Sequence, residues 1–439
     1  MFKTLFAVTL VAAPLAEAVD VQPLLDAGDF AGAKAQLKAA LAADAGDHDA
    51  RLALGVTTFL AGWEEAAQTA YAHGLKDVGS EFGMITGAGG LPVRMNPEPR
   101  KTSAGDVVGM IERVAEAMAE VDAILEPIGD AAARFDFTPG TVRMDLDGDG
   151  ELAEDEGLWN LYDAVTNPRR RWGADDVARE KPEGTDDFVL GLDTADAYWL
   201  RGYANVFGAL CDMVLAYDGT ELFERTGHLF FWNVDTPYPW LGFGRPDGRF
   251  DFEPVLDFVA VIHLLDQPLR DANRMTEARV HLLEVLRLSR LNWAAIRAET
   301  DDANEWLPGP GQTGVLGVDI TDEQVDAWLA VLDEMELILN GELLVPFWRG
   351  AAAGLFDEDG EWLGEEGDEM PEVGQTHPTL GVNVRRVFEE PTDFDLLLWM
   401  QGTAAAPYLE EGERADTDVW ERAFEAFGEN FPGFAVWMN

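Results

Sequence analysis

Apolar residues recur every three to four positions over most of the chain, the period of a helix with one buried face. The pattern begins with AGDFAGAKAQLKAAL at Ala27 and continues through DARLALGVTTFLAG. Further long stretches lie at about 103–125, 191–218, 253–266, 269–299, 322–340 and 417–428. Start signals agree with the period. Ser103 with Asp106, and Thr321 with Gln324, stand in capping-box spacing just ahead of apolar runs. Strict alternation is scarce, and TVRMD (141–145) and GVLGVDI (314–320) are the two short strand candidates. The expectation is a mainly α chain with loops longer than a compact bundle needs.

An internal repeat sits near the start. AGWEEAAQTAYAHGL, from Ala61, comes 34 residues after the segment at Ala27, matching Gly28 to Gly62, Ala33 to Ala67, Leu37 to Tyr71 and Leu41 to Leu75. This spacing, with Leu54, Gly55, Ala67 and Tyr71 on pattern positions, resembles a tetratricopeptide repeat. Thr58 stands where an aromatic is usual and the closing proline is absent. The resemblance covers residues 20 to 78 and implies helical hairpins that pack on the downstream helices and offer a surface to a protein partner; a plain pair of helical hairpins fits the same spacing. GAGGLPVRMNPEPRK (87–101) reads as a Gly/Pro loop. The organisation expected is a leader at 1–18, the repeat-like segment at 19–80, a linker at 81–101 and an irregular α-helical domain at 102–439.

Charge narrows the partners. Thirty-one basic against 82 acidic residues give a net charge of −51, a field that repels nucleic acid and anionic membrane surfaces and favours cations. The leader has Lys3 ahead of an apolar run and Ala16-Glu17-Ala18 as a small-x-small cleavage site. These are the features of a secretory signal peptide, which predicts export to the periplasm or medium after cleavage near Ala18, with no membrane insertion of the mature chain. Cys211 is the single cysteine, so no intrachain disulfide can form; its apolar setting, ALCDMVLAY, predicts a packed thiol.

One stretch has the spacing of a chemical site. In DLDGDGELAEDE, Asp145, Asp147 and Asp149 hold positions 1, 3 and 5, Gly150 position 6 and Glu151 position 7, where the backbone carbonyl is the donor. Leu152 is the apolar residue at position 8 and Glu156 closes the set at position 12. The stretch resembles the EF-hand calcium loop, and the resemblance implies Ca2+ bound by Asp145, Asp147, Asp149, Glu151 and Glu156. Acidity alone does not explain the glycine and the apolar residue. Pro139-Gly140 breaks any entering helix, so a structural pin is expected in place of a paired-helix sensor.

Other candidates fall short of this spacing. FDEDGEWLGEEGDEMPE (356–372) repeats the first acids but places Trp362 where glycine is needed and Gly364 where an apolar residue belongs. The six histidines never approach zinc-ligand spacing, and no nucleophile elbow or dinucleotide fingerprint occurs. PRRRW (168–172) is a basic island suited to nearby acids or a partner's carboxylates. FFWNVDTPYPWLGFGRPDGRF (230–250) gathers aromatic rings with Asp235, Asp247 and, just beyond it, Asp251. Two functions are compatible with these features. The first is an exported calcium-binding helical protein that acts by binding; the alternative is a calcium-stabilised helical hydrolase using paired carboxylates on carbohydrate or peptidoglycan.

Overall fold

The computed structural model describes residues 19–76, 94–153, 155–166, 181–242, 253–300, 302, 304–314, 319–349, 379–415 and 417–427. The leader, residues 81–93 of the linker, PRRRW, the 356–372 stretch, residues 243–251 and four residues of GVLGVDI (315–318) lie outside them. Among the described residues the chain is mainly α, with small two- and three-stranded sheets between the helices. No described helix is long and apolar enough to cross a membrane.

The first core gathers helices Gln22–Asp26, Phe30–Ala43, His48–Ala72 and Ala104–Leu125, with Leu25, Leu37, Leu52, Met118 and Leu125 fully buried. Ser103 and Asp106 form the expected capping box at the start of the last of these. Gly55 is required where it meets His48–Ala72: a Cβ there would run into the Leu125 side chain. Helices from both sides of the 81–101 stretch therefore share one core. DARLALGVTTFLAG and most of AGWEEAAQTAYAHGL lie in one uninterrupted 25-residue helix, so the 34-residue correspondence relates a separate short helix to the second half of a long one.

Helix Thr194–Leu215 joins this core to the next. Leu200 and Ala204 face the first core, and Ala195 and Ala209 face a second built with helices Ala272–Ile296, Asp322–Leu339 and Thr417–Phe427 around Trp293, Val325 and Leu332. A third, smaller cluster of Val382, Ala405 and Tyr408 lies by the sheet of Val345–Pro346, Leu380–Val382 and Leu409–Glu411.

Two sequence expectations shift. TVRMD is not a strand: Pro139–Thr141 forms a 3-10 turn, and Arg143 makes an isolated antiparallel bridge to Gly157. The strand just upstream is Arg134–Phe137, paired antiparallel with Leu190–Asp193, with Phe135 and Phe137 turned into the core. Residues 191–193 thus belong to a strand, and the helix begins at Thr194 behind an Asp193–Asp196 capping box.

Candidate metal centre

The 145–156 loop is built on a two-residue neck. The Met144 N–H donates to the Glu156 carbonyl (2.9 Å) and the Leu158 N–H to the Val142 carbonyl (3.1 Å), so both ends of the loop leave from one point. Helix Leu158–Thr166 carries the chain away, while a 3-10 turn, not an α-helix, leads in. The long helix His48–Ala72 braces the first residue: Glu64 Oε1 accepts the Asp145 N–H (2.8 Å), and Gln68 Nε2 donates to the Asp145 carbonyl (2.7 Å). Leu152 covers Gly28, its Cδ atoms about where a glycine-to-alanine Cβ would touch at 3.0 Å. The loop is thereby fixed between the N-terminal helices and the long helix.

Inside the loop the backbone turns toward the carboxylates. Asp145 accepts the N–H groups of Gly148 (2.7 Å) and Gly150 (3.0 Å). Asp147 accepts the Asp149 N–H (3.2 Å), and Asp149 accepts the Glu151 N–H (2.7 Å). The sharp turn at position 6 needs the left-handed region, and Gly150 has φ +81°. The result brings oxygens of Asp145, Asp147 and Asp149 within 4.8 Å of one another. Two oxygens on one Ca2+ lie at most about 5.2 Å apart, twice the longest usual bond, so the trio fits a single ion of that size.

The other two expected ligands stand differently. Glu151 is exposed and does not join the trio. Glu156 is buried, and its oxygens accept the N–H groups of Leu146 (3.2 Å) and Ala153 (2.8 Å); it does not join the 4.8 Å trio. Closing a shell around an ion would require Glu156 to move in beside the three aspartates; its carboxylate has acceptor sites beyond those the two N–H groups use.

Sequence spacing missed three participants. Arg94 donates to Asp147 Oδ2 (3.0 Å), lies 3.5 Å from Glu156 Oε1 and pairs with Asp155 at the rim. Partial burial opposes its charge, but the bond to Asp147 and the charges of Glu156 and Asp155 outweigh that and raise its pKa. Glu64 and Gln68 complete the set. Burial first, and then the charges of Asp145 and Glu156, push the Glu64 carboxyl up to about 7 against the lowering effect of the Asp145 N–H. Glu64 and Gln68 lie one turn apart on one helix face, the single local sign of a shared target.

The aromatic loop is organised separately. Lys76 sits over the Trp232 ring at 4.5 Å, Tyr238 meets Trp240 edge-on, and Asp235 pairs with Lys101. Asp247 and Asp251 lie outside the described residues. Cys211 is buried, and its thiol pKa is raised, by burial first and the neighbouring Asp212 second; this suits packing better than nucleophilic attack. No protein-family model, curated protein or solved structure matches the chain.

Proposed function

We propose that this is an exported calcium-binding protein that acts by binding, with one Ca2+ held by the 145–156 loop as a fastener of the fold. The observation that carries the reading is the convergence of Asp145, Asp147 and Asp149 within 4.8 Å on a loop whose sixth residue has positive φ. Asp145, Asp147 and Asp149 would supply carboxylate oxygens, Glu151 its carbonyl and Glu156 the closing carboxylate. The ion would add positive charge to a group of acids of which Arg94 reaches Asp147 and Glu156. Bracing by Glu64, Gln68 and Leu152 supports a structural role, because the loop is fixed to two helical regions and lacks the entering α-helix that a sensor pair swings. Export rests on the leader pattern, and a protein partner would be met through the N-terminal helical segment.

Calorimetric titration with calcium, paired with thermal melts in calcium and in chelator, tests the proposal. At a free calcium concentration 100 times Kd, binding should add about 2.7 kcal/mol of stability. The double variant Asp145→Ala with Glu156→Gln should lose the binding heat and melt alike in calcium and chelator. A wild-type chain with no binding heat and a chelator-independent melt would remove the assignment.

A further inference from the structure

The loop already contains a cation. The Arg94 guanidinium lies between Asp147 Oδ2 (3.0 Å) and Glu156 Oε1 (3.5 Å), carboxylates from the third and twelfth loop positions. Its other nitrogen holds Asp155, whose eleventh position supplies no ligand in such loops. Arg94 does not reach the loop by chance of a wandering side chain. Two residues on, Asn96 Nδ2 donates to the Tyr71 carbonyl (2.9 Å), and the Arg100 N–H donates to the Ala72 carbonyl (2.9 Å). The Thr102 N–H then donates to the Asn233 carbonyl (2.9 Å), while Asn233 Nδ2 donates to the Pro99 carbonyl (2.8 Å). The described residues 94–102 are thus tied along the end of the long helix, with Arg94 delivered to the acids.

We propose that Arg94 is the resident counter-cation of the loop and that calcium binds by displacing it from Asp147 and Glu156, leaving it on Asp155 at the rim. The inference rests on the calcium reading of the loop. A guanidinium and Ca2+ drawn to the same two carboxylates repel one another at close range, so each weakens the other by the same factor. Arg94 therefore sets the calcium concentration at which the loop fills, and filling loosens the start of the 94–102 segment.

Calcium calorimetry on the full chain, wild type against Arg94→Gln and Arg94→Lys, tests this, together with amide exchange over 94–102 in calcium and in chelator. If the loop is free of Arg94 about a tenth of the time, Arg94→Gln should bind about tenfold more tightly. Arg94→Lys keeps a competing charge and should stay nearer the wild type. Wild-type exchange at the start of that segment should speed up when calcium is added. Equal or weaker binding by Arg94→Gln, with the wild type still binding calcium, overturns this inference and leaves the calcium reading standing. Absence of binding in both chains overturns the two together.

Discussion

The acids of the 145–156 loop and those between helices Thr194–Leu215 and Ala272–Ile296 are held in opposite ways. In the helix interface Arg201, its side chain only 6% exposed, donates to Asp122 (2.8 Å) and lies 3.4 Å from Glu284. Arg287 donates to both oxygens of Glu284, a hydrogen bond that draws that carboxyl below its ordinary range. Arg274 donates to Asp212 (2.6 Å). Asp122, Glu284 and Asp212 thus each meet at least one arginine. In the loop Asp145, Asp147, Asp149 and Glu156 rest mostly on backbone N–H groups, and among the described residues one arginine reaches two of them. Backbone dipoles orient carboxylates without cancelling their charge. In a chain of net charge −51, a site differs from a structural patch by how far its acids outrun their counter-charge.

The largest expected effect is on the matched side. Arg201→Ala leaves Asp122 and Glu284 without their shared partner inside a packed interface. Breaking such a pair costs about 3 kcal/mol, the low end for buried pairs, because both acids still reach water. Denaturant midpoints should show the loss while calcium affinity stays unchanged. A comparable loss in calcium affinity would mean that the two regions are coupled and the contrast is false.

One acid of the same helix is held without an arginine among its charged neighbours. Asp196 is buried at the start of Thr194–Leu215, where Oδ2 accepts the Asp193 N–H (2.9 Å). Burial, then the charge of Asp193, raises its pKa well above the usual carboxyl value, with Glu305 and Glu299 adding to the rise. The folded chain therefore holds a proton that the unfolded chain releases near pH 4. Its contribution is fully present below that pH and is lost as pH rises toward the folded value. Asp196→Asn keeps an acceptor for the cap and removes the titration. Relative to the wild type, it should gain stability as pH is raised from 4 to 8. Parallel urea midpoints across that range would show that Asp196 is ionised in the fold.

How much of this was legible in the chain depends on sequence distance. Long helices announce themselves, because a 3.6-residue period sustained over five turns and a cap such as Thr321 with Gln324 are local signals. Arg134–Phe137 and Leu190–Asp193 are four residues each and stabilise one another across the chain. Neither stretch is long enough to show its period, and LGLD merges with the apolar helix after it. Short helices such as Val384–Glu389 and Leu396–Gln401 are silent for the same reason. The acidic loop was readable because its acids fall within twelve residues. Arg94, Glu64 and Gln68 reach it from 53, 81 and 77 residues away, and no pattern in one sequence reports that meeting.

The smallest expected effect separates the loop's turn from the fold around it. Gly150 has φ +81°, and no heavy atom lies within 4 Å of the place a Cβ would take. Gly150→Ala therefore adds no clash, and its cost is the left-handed backbone alone, about 1 kcal/mol. In chelator the exposed loop can relax away from that φ, so the melting temperature should hardly move. Calcium would have to restore the turn, and its affinity should fall about fivefold. Stability lost in chelator with unchanged affinity would place Gly150 with the rigid scaffold, and the turn at position 6 would then not belong to the calcium-bound loop.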